Sequence, residues 1–191
     1  MGIEPPADQF KIGDKLIQIR RFGSNDSLTE LTALLHRGYR QLLELGLRYT
    51  ATYQDEQKTA SRIIGKECYV GVLVGKYVAT ITLDQPGTAD GCAYYERPDV
   101  SSFYQFCVDP ELRGHGLGRF LIQFVERRAV QLGATEMAID TAEQAHHLIS
   151  MYKRYGYRPV DRLKWEATNY DSIVLAKSLS PQTKTVESKH G

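Results

Sequence analysis

The stretch Val108–Gly118, V-D-P-E-L-R-G-H-G-L-G, gathers the residue types that hold an anion. Gly114, Gly116 and Gly118 stand at alternate positions, so a backbone can pass close to a ligand with no Cβ in the way. Their N–H groups converge at the positive end of the helix that follows. Arg113 and Arg119 flank the loop and carry donors suited to phosphate oxygens. The chemistry implied is phosphate binding. A Walker loop requires G-x-x-x-x-G-K-[ST], and no Lys-Ser or Lys-Thr follows these glycines. A Rossmann loop requires G-x-G-x-x-G, yet the sixth position counted from Gly114 is Arg119, even though Asp140 ends the next strand where a ribose-binding acid would stand. A strand-to-helix turn with no ligand also favours glycine, but one turn rarely needs three of them between two arginines.

Other reactive residue types are less organised. Cys68, Cys92 and Cys107 are odd in number and none is paired at C-x-x-C spacing, so neither a disulfide framework nor a thiolate zinc site is expected, and Cys107 has no histidine at a recognisable spacing. His146 and His147, with Glu143 and Asp140 nearby, invite a metal reading. Adjacent helical residues point about 100° apart and no H-E-x-x-H is present, so no metal is expected. Tyr152 shares an apolar helix face with Leu148, Ile149 and Tyr155, which by periodicity alone marks a core residue.

These residues need elements to position them. Residues 1–13 read as a flexible arm, and Lys15–Arg21 as a first strand. Ser27 with Glu30 three residues later forms a capping-box signature ahead of Leu28, Leu31, Leu34, Leu35, Tyr39, Leu42 and Leu43 at helical spacing. Asp55–Ile64 reads as a short second helix. Cys68–Val74 and Tyr77–Leu83 flank Gly75-Lys76 as a hairpin, and Ser101–Val108 is a strand stopped by Asp109-Pro110. The chain then alternates: helix over Gly116–Leu132, strand over Glu136–Asp140, helix over Ala145–Tyr155, and strands near Pro159–Ala167 and Asp171–Lys177 around Thr168-Asn169. Residues 180–191 are polar and read as a disordered tail. The order is that of one α/β domain with a mixed sheet, spanning 14–179.

Composition limits the function classes. Against 24 Lys plus Arg stand 23 Asp plus Glu, a formal net charge of +1 over 191 residues. Near-neutrality argues against a protein that neutralises many phosphates of a nucleic acid. No run approaches the roughly 18–20 apolar residues that span a bilayer, and the first ten residues lack a basic then apolar segment, so a cytoplasmic protein with no membrane or nucleic-acid partner is expected.

Taken together, Arg113-Gly114-His115-Gly116-Leu117-Gly118 resembles R-x-x-G-x-G, the acyl-CoA signature of the GNAT superfamily of N-acetyltransferases. The preceding V-D-P-E-L resembles its V-x-P-x-x turn. Glu126, Ala129 and Leu132-Gly133-Ala134 resemble its helix continuation, and Leu148–Tyr157 its late A-x-x-x-Y-x-x-x-G-F. Two positions depart: Ala145 stands where an Asn is common, and Tyr157 replaces Phe. The resemblance implies a mixed central sheet flanked by helices, with the parallel strands Ser101–Val108 and Glu136–Asp140 splaying apart. It implies acetyl-CoA as acyl donor, with Arg113, Gly114, His115, Gly116, Leu117, Gly118 and Arg119 at the pyrophosphate, and the backbone of Phe106, Cys107 and Val108 along the pantetheine. It further implies the Val108 N–H as oxyanion donor and Tyr152 as general acid, with a primary amine on a small molecule or peptide as acceptor. Tyr104, Gln105, Glu96 and Asp84 are candidates for the base side, with no spacing to choose among them. Tyr49, Tyr53, Tyr94 and Tyr95 fall in the acceptor-side segments or belong to packing. The alternative is a non-catalytic acyl-CoA-binding module; dimers are frequent in the superfamily, which leaves a homodimer open.

Overall fold

The computed structural model describes residues 7–179. Among them one sheet runs in the spatial order β1-β2-β3-β4-β5-β6-β8-β7. The strands are β1 (Asp8–Ile12), β2 (Lys15–Arg21), β3 (Glu67–Leu73), β4 (Lys76–Asp84), β5 (Val100–Val108), β6 (Glu136–Ala142), β7 (Arg158–Leu163) and β8 (Ser172–Ser178). The helices are α1 (Leu28–Glu44), α2 (Glu56–Ile63), α3 (Leu117–Gln131) and α4 (His146–Arg154). The expected tail, residues 180–191, lies outside the described residues, as do residues 1–6 of the expected arm.

The rest of that arm is corrected by the structure. Asp8–Ile12 pairs antiparallel with β2, and Phe10 stacks on Phe120 of α3 with ring centroids 5.0 Å apart. Asp8 adds an ion pair to Arg127 at 3.0 Å. Five residues of alternating burial suffice for an edge strand once a neighbouring strand and a helix supply partners, which a local reading does not see. The β3–β4 turn is also shifted by one residue. Val74-Gly75 makes it, with φ of 48° and 77°, a two-residue turn with left-handed residues at both corners.

Alternation along the central strands divides the core between two faces. Cys68 and Val70 pack with Leu31, Leu34 and Leu35 of α1. Tyr69 faces the other way, onto Leu121, Phe124 and Val125 of α3. Beneath α3 the buried Arg128 makes a two-pronged bond to Glu67, 2.8 Å at each oxygen, and Tyr69 donates to the same carboxylate at 2.5 Å. Burial alone would raise the Glu67 carboxyl, but the hydrogen bonds from Arg128 and Tyr69 bring it below the ordinary value.

The capping box at α1 forms by halves. Ser27 Oγ accepts from the Glu30 N–H at 3.1 Å. The Glu30 carboxylate accepts from the Tyr77 N–H at 2.7 Å instead of reaching back to Ser27, whose own N–H donates to the Tyr77 hydroxyl. The sheet thereby ties down the start of the helix.

Two irregularities shape the centre. Thr80 opposes Cys107 and Thr82 opposes Tyr104, so Gln105 and Phe106 together face the one residue Ile81, and Gln105 takes φ of 47°. This is a bulge in β5. The parallel pair β5–β6 is bonded only from Val100↔Glu136 to Ser102↔Ala138, after which the strands part. The expected splay is therefore present, and it begins at the bulged half of β5.

Candidate functional site

The gap between the two parting strands is the centre of the site. The Asp109 N–H donates to the Val78 carbonyl of β4 at 2.8 Å. N–H groups alternate edges along a strand, so Cys107 and Asp109 face β4 while the Val108 N–H faces the opposite edge, the one β6 has left. β6 is held away by Tyr49, whose hydroxyl accepts the Ala142 N–H at 2.9 Å and bonds Thr141 Oγ1 at 2.7 Å. A ladder group released by the divergence thus finds a side-chain partner.

On one side of the gap lies the glycine loop. Gly114 and Gly116 have φ of 82° and 87°, and a Cβ at Gly114 would meet open space. Gly116 caps α3 without a side chain, and the first bond into the helix is Phe120 N–H to Gly116 carbonyl. The N–H groups of Leu117, Gly118 and Arg119 therefore have no partner among the described residues, an anion-accepting cradle. Gly118 packs closely on the Phe106 ring: a Cβ there would sit 3.3 Å from it, a tight contact. The Leu117 side chain is buried in the core, so only its backbone faces the cradle. His115 stays exposed, with Nδ1 2.9 Å from the Arg113 carbonyl.

Arg113 does not face that cradle. Its guanidinium donates to the carbonyls of Gly38 and Val108 and to Gln41 Oε1. The Val108 carbonyl lies on the edge of β5 that β4 does not use, and the Arg113 fork satisfies it while tying the loop to α1 through the Gly38 carbonyl and Gln41. Arg119 remains exposed, its guanidinium 5.7 Å from the Tyr155 ring centroid. Cys107 is likewise not positioned for a ligand. Its backbone serves β4, its side chain packs under Gly38, and burial pushes its thiol up to about 12.

On the other side of the gap a cavity of about 530 Å³ opens, reached by Phe106, Ile139, Asp140 and Tyr152. Tyr152 is buried, and its hydroxyl makes no hydrogen bond among the described residues. Burial first, then the neighbouring Tyr39, Tyr49 and Asp140, push that phenol well above its ordinary value, so it stays protonated. Asp140 is oriented by two neutral donors, Tyr95 hydroxyl at 3.0 Å and Trp165 Nε1 at 2.9 Å, with no cation partner among the described residues. The roof comes from Trp165, Thr168 and Tyr170 in the β7–β8 connection, which is a long loop where a tight turn at Thr168-Asn169 is expected from sequence.

The remaining sequence candidates separate cleanly. Asp84, Tyr104 and Gln105 line the cavity; Glu96 is exposed on the loop before β5 and does not. Asp84 is raised by burial but paired to Lys66 at 2.5 Å and hydrogen-bonded by Ser102. Tyr104 donates to the Arg62 carbonyl at 2.6 Å, and burial pushes its phenol up. Tyr53 and Tyr94 do not line the cavity, donating instead to the Ala167 carbonyl and to Glu136, while Tyr49 and Tyr95 line it. Tyr157 has recruited a partner for its extra hydroxyl: it donates to Glu126 at 2.8 Å, which Lys177 also binds. Sequence reasoning missed Asp140 as a cavity carboxylate, Trp165 as its support, and the cationic wall of Lys58, Arg62 and Lys66. The last had a partial signal, Lys58 and Arg62 four residues apart on a short helix, with Lys66 beyond its end; the first two had none.

A family model of the acetyltransferase (GNAT) family matches residues 30–157. The S-(2-succino)cysteine N-acetyltransferase of Bacillus subtilis is 32% identical over 134 residues, covering 69% of this chain and 77% of that protein. The S-alkylcysteine N-acetyltransferase of the same organism is 27% identical over 143 residues, covering 73% and 78%. A GNAT family acetyltransferase from Elizabethkingia anophelis, solved with acetyl-CoA bound, superposes with a TM-score of 0.61 at 15% identity, covering 85% of this chain and 98% of that one.

Proposed function

Because the chain belongs to the acetyltransferase (GNAT) family, we propose that it transfers the acetyl group of acetyl-CoA to the primary amine of a small amino-acid-like acceptor, within a ternary complex. The observation that carries this reading is the gap itself: an edge-facing Val108 N–H, with an unpartnered N–H cradle on one side and the Tyr152 cavity on the other. The cradle suits a pyrophosphate, since it offers backbone donors at the start of α3 behind a loop that Gly114 and Gly116 turn at positive φ. An acyl donor bound there supplies an activated thioester. Gly114, Gly116, Gly118 and the N–H groups of His115, Leu117 and Arg119 would hold its phosphates, and the Phe106 and Val108 edge its pantetheine arm. Arg113 would act by fixing the loop against α1.

The roles of the protein groups follow from their chemistry. Asp140 holds the acceptor's ammonium at the cavity end of the gap, and the nitrogen sheds a proton before it attacks. The Val108 N–H donates to the carbonyl oxygen as negative charge gathers there while the C–N bond forms. The proton shed before attack passes to solvent; Tyr152 gives its own proton to the sulfur as the C–S bond breaks and is reprotonated by the second proton, which the nitrogen loses once the C–N bond has formed. A phenol near or above 10 is a weaker acid than a thiol near 8.5, so its usefulness rests on position and on burial that keeps it protonated.

The two B. subtilis relatives act, by their names, on cysteines carrying a substituent on sulfur. Such an acceptor suits a cavity with a carboxylate at one wall and cations at another. The test is CoA release from acetyl-CoA over an amine panel that includes S-(2-succino)-L-cysteine and S-ethyl-L-cysteine. Turnover with an amino acid is expected; CoA binding with no turnover across the panel would favour the non-catalytic module.

A further inference from the structure

We propose that the α2 wall of the cavity is a carboxylate-reading subsite, in which Lys58, Arg62 and Gln105 seat an acidic group of the acceptor. The inference rests on reading this cavity as the acceptor side. Lys58 and Arg62 lie four residues apart on α2, hence on one face, and both line the cavity. Arg62 is locked in place. Its Nη1 donates to Gln54 Oε1 at 2.8 Å, its guanidinium stands 5.1 Å from the Tyr104 ring centroid, and the Tyr104 hydroxyl holds its carbonyl. Its Nε and Nη2, like Lys58 Nζ, have no partner among the described residues. Lys66, the third cation of the wall, is already neutralised by Asp84.

The amides below Arg62 are ordered by the same bond. With Oε1 taken by Arg62, Gln54 Nε2 donates to Thr59 Oγ1 at 2.7 Å and to Gln105 Oε1 at 3.4 Å. This leaves Gln105 Nε2 as a donor without an acceptor on a residue only 2% exposed. A buried unpaired amide N–H is costly unless something fills it. Gln105 is also the bulge residue with φ of 47°, a backbone state that non-glycine residues adopt reluctantly and that clusters at ligand sites. Two uncompensated cations and one orphan amide, all donors, call for a carboxylate and not for a second amine.

The experiment compares S-(2-succino)-L-cysteine with 2-(ethylthio)ethylamine, a carboxylate-free amine. Binding is measured by calorimetry and turnover by CoA release. Arg62→Met is expected to weaken binding of the succinylated amino acid by roughly 10–100-fold. It should lower the preference for that compound over the plain amine by a similar factor, with Arg62→Lys recovering part of the loss. Lys58→Met, at an exposed position, should act in the same direction should Arg62→Met fold poorly, and Gln105→Glu should repel the acid. Equal losses for both compounds, unchanged binding in Lys58→Met, or no binding of the acid by the wild-type chain would each overturn the subsite. Binding without acetyl transfer would instead refute the reaction and leave the subsite standing, while transfer with unaltered variants would do the reverse.

Discussion

At the scale of single residues, chemistry depends on which neighbours a side chain has been given. Tyr152 has none for its hydroxyl, so the phenol is free to meet a leaving group and its removal should be tolerated by the fold. Tyr152→Phe is expected to lower kcat by roughly 100-fold, with the melting temperature almost unchanged; a variant with wild-type kcat would end the general-acid role. Arg113 shows the opposite case, since its donors are used by Gly38, Gln41 and Val108. Arginine beside a glycine loop reads as a phosphate ligand in the sequence, because Gly38 and Gln41, which claim it together with Val108, stand on α1, 75 and 72 residues upstream. Asp140 was legible only as a carboxylate at a strand end, because Tyr95 and Trp165, its two donors, come from other loops.

At the scale of elements, the site depends on how tightly helix and strand approach and on where strands part. A Cβ placed on Gly38 would stand 2.6 Å from both Cβ and Sγ of Cys107, so α1 rests on β5 with no room for a side chain. Gly38→Ala should cost about 1–3 kcal/mol. It should also raise the KM for acetyl-CoA, since the Gly38 carbonyl anchors Arg113; thermal melts and steady-state kinetics together check both parts. The β3–β4 hairpin carries an avoidable strain in the β-branched Val74 at φ 48°, with the side chain 93% exposed. Val74→Asn should stabilise the chain by about 0.5–1 kcal/mol, read as a melting rise of a few degrees with catalysis unaltered. The helices, the hairpin and the strand before the glycine loop were readable because hydrophobic period and caps are local. β1 and the bulge were not, since an edge strand is made by its partner and a bulge by a mismatch between two strands.

At the scale of the whole molecule, paired carboxylates set the response to pH. Asp26 is held well below the usual carboxylate range by Arg20, with further bonds from Tyr77 and the Gly23 N–H, against the opposing effect of burial. Glu67 and Asp99 are lowered as well. A carboxyl lowered by folding stabilises the native state above its unfolded value near 4, and that contribution is lost as pH falls through the folded value. Asp84, raised by burial, works in the opposite sense, because its charged form costs the fold as pH rises past 4. Three lowered groups outweigh one raised group, so the melting temperature should fall steeply below about pH 4. Asp26→Asn should flatten that limb, and an unchanged slope in the variant would show that the Arg20–Asp26–Tyr77 cluster does not carry it.

The sequence by itself determined the α/β order, the glycine cradle and the family, because each is written in short-range spacing of glycine, apolar and capping residues. Only the tertiary structure decided the acceptor side. That cavity is assembled from α2, the bulge in β5, the end of β6 and the β7–β8 loop, segments far apart in the chain with no shared spacing. Side chains that meet only through folding leave no local pattern, so Asp140, Arg62 and Gln105 became a site when the sheet parted and brought them around one space.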